Sequence, residues 1–228
     1  MITIHNNVIQ GTPEWYALRL GILTASEMHL AITPTLRVAR NGETRAHIYE
    51  LAAQRATKYV EPHYISDDML RGHTDEPLAR AAYAEHYSPD APVIEAGFIT
   101  REYDDGLIIG CSPDSLVGDN GGLEIKSRRQ KKHLQTIIEN EIPPENIIQV
   151  QTCLMITGRE WWDYVSYCGG MALHVIRAYP DQVVHDAILT AAHEFEAQIV
   201  DVVEKYSKVA KFAPIMERIE ALEDGDIK

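Results

Sequence analysis

Between residues 93 and 127 the spacing of apolar side chains changes from the helical period that dominates the rest of the chain to the alternation of extended strands. Residues 93 to 100 and 107 to 111 are β-rich runs. Asp119-Asn120-Gly121-Gly122 is a strong turn signal ahead of Leu123-Glu124-Ile125-Lys126-Ser127. This predicts an antiparallel meander set between helices, and so a mixed α/β fold with a central, mostly antiparallel sheet flanked by helices. A helix is expected over 12 to 20, with Thr12 as N-cap, Pro13 at the first position and Gly21 at the exit. Thr24-Ala25-Ser26-Glu27 has capping-box spacing and should open another. Residues 33 to 43, with Pro34, Arg37, Arg40 and Asn41-Gly42, read as an exposed loop, and 44 to 59 as a helix. Over 67 to 87 the pattern is helical, but Pro77 is expected to kink the helix or start a new one beside Glu76. A helix from Pro143 to about residue 156 and strands over 161 to 167 and 172 to 179 follow. Last comes a long amphipathic helix over 181 to 211, with Val184, Ile188, Ala191, Phe195, Ile199 and Val202 on one side. The acidic end, 217 to 226, is expected to fray.

The 228 residues suit one domain, and no apolar run approaches the roughly 20 residues that cross a bilayer. With no basic-then-apolar leader at Met1, the expected compartment is the cytoplasm. Cys111, Cys153 and Cys168 show no CxxC spacing, which disfavours a disulfide framework or a zinc ribbon and predicts buried thiols. The ten histidines lack metal-ligand spacing and are expected on the surface or in the core. Trp161, Trp162 and Tyr164 could stack on bases, but their strand context favours sheet core. A net charge of −13 argues against a general polyanion binder. Positive charge is concentrated in Lys126, Arg128, Arg129, Lys131 and Lys132, directly after the turn and strand.

In a strand, side chains two apart share a face, so Glu124 and Lys126 point together while Leu123 and Ile125 point the other way. The turn folds the chain back so that Asp114 can meet Glu124 across a hairpin. Taken alone, Glu-x-Lys is an ordinary exposed cross-strand pair. The whole phrase Cys111-Ser112-Pro113-Asp114 … Gly122-Leu123-Glu124-Ile125-Lys126 is more specific. An Asp and a Glu offer hard oxygen ligands for magnesium. A neighbouring lysine could orient an attacking water and offset charge developing on a phosphate, which points to phosphodiester hydrolysis.

These residues resemble the phage lambda exonuclease and YqaJ-like viral recombinase family, within the PD-(D/E)XK nucleases. Further similar blocks are Glu14-Trp15, Leu18-Arg19-Leu20-Gly21 through Thr24-Ala25-Ser26, Gly72 to Glu76, and Gln149-Val150-Gln151. The resemblance implies a restriction-endonuclease-like core and a 5′ to 3′ exonuclease acting on duplex DNA ends with two Mg2+ ions, for which Mn2+ would substitute. It leaves 3′ single-stranded tails for recombination. It also implies a ring-shaped homotrimer, a single-strand annealing protein as partner, and a phage or prophage origin. Asp114, Glu124 and Lys126 take the catalytic positions, with Glu76 and the Ile125 carbonyl as further metal ligands and Gln151 as a polar helper. Gln149 and Gln151 lie about 200° apart on a helix, so only one of them should face the site. Arg19, Ser26 and Ser112 take the positions of a pocket for the terminal 5′-phosphate. The forked donors of Arg19 and the helix start at Ser26 suit an anion. Arg19 could instead pair with Glu14 or Glu27, and Asp75 competes with Glu76 as the acid facing the metal. Rival readings are a structure-specific endonuclease and a non-catalytic DNA-binding or assembly module.

Overall fold

The computed structural model describes residues 1–62 and 66–218, so most of the acidic end lies outside the described residues. Strands β1 (Ile2–His5), β2 (Leu23–Thr24), β4 (Phe98–Glu102) and β5 (Ile108–Cys111) form one sheet in the order β1-β4-β5-β2. A second sheet runs β3-β6-β7-β8-β9, from β3 (Val93–Ile94), β6 (Ser115–Val117), β7 (Gly121–Ser127), β8 (Trp161–Tyr167) and β9 (His174–Ala178). Pairing is antiparallel except for β2 with β5 and β7 with β8. The expected meander is therefore corrected. The β-rich stretch 93 to 100 is divided between the sheets, and the hairpin partner of β7 is β6 rather than β5. Asp114 sits where the chain leaves one sheet for the other.

The β7–β8 pair is parallel because the connection between them carries α4 (Gln130–Glu139) and α5 (Pro144–Thr157), and parallel strands require such a crossover. The α4 helix was not foreseen. Gly121 and Gly122 act beyond the turn, since a Cβ on either would strike the Trp161 or Trp162 ring on the adjacent strand. Helix α5 is buried nearly all round and runs through the main core with α2 (Gly42–Thr57), α6 (Gln182–Ala210), Trp162 and Tyr164. Those aromatics are sheet core, as their context suggested. On the other face of β7, Leu123 and Ile125 pack with Val165 against Ala79 and Tyr83 of α3 (Asp67–Tyr87).

Helix α3 runs unbroken through Pro77. The ring removes one backbone bond, but packing of Ala79 and Tyr83 on the sheet outweighs that loss. Helix α1 (Pro13–Arg19) has the expected Thr12 cap. The helix expected after Thr24 is only a 3-10 turn, Met28–Leu30. Cys111 and Cys153 are buried free thiols, while Cys168 is half-buried. His133 is a satisfied core histidine between the Ser166 hydroxyl and the Ala172 carbonyl. Among the described residues no helix is long and apolar enough to cross a membrane.

Candidate active site

The end of β7 carries Glu124 and Lys126 on one face, as the strand period requires. Exposure falls along it from Lys126, 30% exposed, to Glu124. Glu124 is only 2% exposed, because α5 covers it. Its Oε1 accepts from the Lys126 ammonium at 2.6 Å and from the Gln149 amide at 2.6 Å, while Oε2 is buried with no hydrogen-bond partner. Burial acts to lower the Lys126 pKa, but Glu124 and Asp114 more than offset it and hold the ammonium charged.

Asp114 reaches β7 through its Oδ2, which accepts from the Ile125 amide at 2.5 Å. Strand β6 pairs with β7 only as far as Leu123, so this edge is free for a side chain. The N–H and C=O of one strand residue leave by the same edge, which directs the Ile125 carbonyl toward Asp114 as well. Burial, then the charges of Glu124 and Glu76, push the Asp114 carboxyl well above the usual carboxylate range. Two adjacent carboxylates, one with an orphaned oxygen, offer hard oxygen donors beside the Lys126 ammonium. The donor set fits a hard divalent ion that keeps several of its waters.

Glu76 is the acid that faces this pair. Burial first, then Glu95 and Glu124, push its carboxyl up against the opposing pull of Arg80. Asp75 turns aside to accept from the Ser127 hydroxyl at 2.6 Å. Arg80 holds Glu76, and among the described residues no three His, Cys, Asp or Glu side chains converge into a metal cage. The structure therefore brings together Asp114, Glu124, Lys126 and the Ile125 edge, with Glu76 at their margin.

Gln151 is not in the site. Its side chain donates to the Tyr179 carbonyl and accepts from the Asp181 amide, which ties α5 to the start of α6. Gln149 is the glutamine on Glu124, and this corrects the choice between the two. Charge in the basic segment is also less free than its sequence implies. Lys126 is paired with Glu124, Arg128 and Lys132 lie 3.5 and 3.8 Å from Glu145, and Arg129 lies 2.9 Å from Asp68.

Arg19, Ser26 and Ser112 gather into one patch through two side chains that sequence reasoning had not assigned to it. The Trp15 indole donates to Ser112 Oγ at 2.9 Å and lies under the Arg19 guanidinium, 4.2 Å from its ring centre. The Thr24 hydroxyl links Arg19 at 3.2 Å to Ser26 at 3.2 Å. Ser26 has no helix dipole behind it, because a single 3-10 turn is too short to supply one.

Residues 14–160 match the YqaJ-like viral recombinase domain. The chain belongs to that family. Its fold matches the crystal structure of an alkaline exonuclease from Laribacter hongkongensis, LHK-Exo, with a TM-score of 0.77 and 33% identity over 89% of this chain and 100% of the other. The same values hold for LHK-Exo in complex with dAMP. A phage-related exonuclease from Haemophilus somnus 129PT shares the fold at a TM-score of 0.60 and 10% identity, over 81% of this chain and 96% of the other. No match was found among curated protein sequences.

In this member of the recombinase family, Glu27, one of the two acids that spacing allowed as a partner of Arg19, is the one that meets it. It approaches Arg19 at 3.4 Å, accepts from the Thr24 hydroxyl at 2.6 Å, and lies 3.6 Å from the buried His47. Burial pushes the Glu27 carboxyl up, but His47, Arg19 and Thr24 more than offset this and hold it at about 2. For His47, burial lowers the pKa while Glu27 and Glu50 raise it to a net position above the usual 6.5. A depressed acid stabilises the fold above its ordinary pKa of 4.5, and this contribution is lost as pH falls toward about 2. A raised histidine stabilises below 6.5, and its contribution is lost as pH rises through the folded value. Glu27→Gln should therefore lower stability most between about pH 5 and 6, by on the order of 2 kcal/mol, with the deficit shrinking on acidification. Urea unfolding across pH measures this, and a pH-independent deficit would assign Glu27 a packing role only.

Proposed function

We propose that this protein is a magnesium-dependent exonuclease that hydrolyses duplex DNA from 5′ ends and leaves 3′ single-stranded tails for phage-type recombination. The observation that carries the chemistry is the buried, unpartnered Oε2 of Glu124 in a site where the nearby Asp114 carboxyl is bonded to the Ile125 amide and Lys126 is paired alongside. Asp114 and Glu124 would hold the ions, joined by the Ile125 carbonyl and Glu76, and Mn2+ would substitute. Bound there, the metal supplies Lewis-acid polarisation of the scissile phosphate and makes water more acidic.

The remaining steps fall to the chain's own side chains. Lys126 stays protonated at neutral pH, so it acts as a donor that orients water and offsets negative charge on the phosphoryl oxygens, and not as a base. Gln149 fixes the Glu124 carboxylate in the rotamer that leaves Oε2 free. Arg19, Ser26 and Ser112 would receive a terminal 5′-phosphate. Burial lowers the Arg19 pKa more than Glu27 raises it, so the guanidinium remains short of anionic partners. Ser112 precedes Asp114 by two residues, so a phosphate held there would set the next phosphodiester against the acids.

A chain with net charge −13, in which four of the five clustered cations already face acids, holds polyanionic DNA poorly by attraction alone. That supports enclosure of the duplex by a homotrimeric ring, working with a single-strand annealing protein. Digestion of a linear duplex labelled at its 5′ or its 3′ ends, beside a closed circle, tests the reading. Magnesium-dependent release of the 5′ label first, with the circle intact and all activity lost to EDTA, is the expected result. Nicking or linearisation of the circle would make the protein an endonuclease, and no cleavage of any substrate would leave a binding module.

A further inference from the structure

Arg80 lies on α3 one turn beyond Glu76 and spans the margin of the site. Its guanidinium binds the carboxylates of both Glu76 and Glu95, and the nitrogen on Glu76 also donates to the Asp114 carbonyl oxygen at 3.3 Å. The Arg80 side chain is 15% exposed and Glu95 is 72% exposed, so the arginine is a buried post with one anchor in solvent. Its Nε is buried without a partner. The guanidinium is thus oriented to meet two carboxylates and a carbonyl, at the expense of its own third donor position.

Glu76 from α3 stands at the margin of Asp114, in the link between sheets, and Glu124 of β7, joined to the Asp114 backbone through one Arg80 nitrogen and close enough to feel the charge of the other two acids. Without a cation they repel, and the arginine is the internal charge that relieves the outermost of them. A metal ion seeking Glu76 must therefore take it from Arg80. The flat fork suits this task, because it keeps Glu95 and the Asp114 carbonyl while Glu76 is released. A lysine, with a single point charge, could not hold all three.

We propose that Arg80 is a positioning residue for the metal site. It latches Glu76 outside the Asp114–Glu124 pair in the metal-free protein, competes with the incoming cation for that carboxylate, and steadies the Asp114 backbone after the exchange. This rests on the reading of Asp114 and Glu124 as the cation site. It makes the two inner acids the entry ligands and Glu76 a late ligand whose availability Arg80 sets.

Binding of Mn2+ to the full chain without DNA, followed by the electron paramagnetic resonance signal of the free ion, separates these parts. Arg80→Gln should bind Mn2+ about three- to tenfold more tightly than the wild type, because a competing charge is removed and Glu76 is freed. Arg80→Lys should shift affinity in the same direction by less, and it serves if the glutamine variant does not fold. In a Glu76→Gln background the gain from Arg80→Gln should disappear, a coupling that a purely structural role would not produce. Cleavage by Arg80→Gln should nevertheless fall, since the Asp114 backbone loses its support. Unchanged or weaker Mn2+ binding by both Arg80 variants, or a gain that persists without Glu76, would overturn the inference while leaving the site intact. Absence of Mn2+ binding by the wild type, or binding indifferent to Asp114→Asn, would remove the cation-site reading itself, and the Arg80 inference with it.

Discussion

Lys126→Ala should reduce magnesium-dependent cleavage of linear duplex by about 10²- to 10³-fold or more, since it removes the charged donor paired with Glu124 beside the two acids. Its Nζ meets Glu124 Oε1 at 2.6 Å, and two carboxylates keep it protonated. Glu124→Gln should be as damaging, because it removes a ligand charge while preserving shape. The glutamine is the better test than alanine here. Glu124 is 2% exposed, so truncation would leave a cavity and strand the Gln149 amide, whereas Gln keeps the shape and relieves the repulsion with Asp114 at the cost of the Lys126 ion pair, and should melt above the alanine variant. Gln149→Ala should lower turnover more than Gln151→Ala, which should act mainly on stability through the α5–α6 link. Single-turnover digestion beside thermal melts measures all four variants. Retained turnover by folded, metal-replete Lys126→Ala would sink the assignment.

Arg19→Ala should slow digestion of 5′-phosphorylated ends by roughly ten- to a hundred-fold, the equivalent of about 1.5 to 3 kcal/mol for a charge-assisted contact kept in the transition state. Ends bearing a 5′-hydroxyl should change little. The guanidinium lies over the Trp15 ring and reaches Thr24 and Glu27 at 3.2 and 3.4 Å, long enough contacts to give way to a phosphate dianion. Initial rates on the two end types with the wild type and the variant decide the matter. Equal slowing of both ends would make Arg19 a general backbone contact, and a wild type indifferent to the phosphate would remove the main support for 5′ polarity.

Local features of the chain were legible because local rules govern them. The Thr12 cap and Pro13 set α1, the apolar spacing set α6, and the two-residue period of a strand put Glu124 beside Lys126. Trp162 became core for the same reason, while Trp161 is half-buried at the strand end.

What failed were inferences about partners distant in sequence. Residues 93 to 100 carry one β-rich signature, yet their two ends pair with β6 and with β1 and β5, a division fixed by which neighbours each end can reach. Pro77 reads as a break, but burial on the sheet holds α3 together across it. Helical geometry required that only one of Gln149 and Gln151 face Glu124. Which one depends on the rotation of α5 in the core, and that is set by packing on every side of the helix. The placement of Asp114, Glu124 and Lys126 near one another was readable from the chain, because residues close in sequence can be located by a turn and the backbone period. Only the packed structure decided which glutamine meets Glu124, that Arg80 joins Glu76 to the Asp114 backbone, and that Trp15 lies between Arg19 and Ser112, because contacts between separate elements follow from how their buried faces pack.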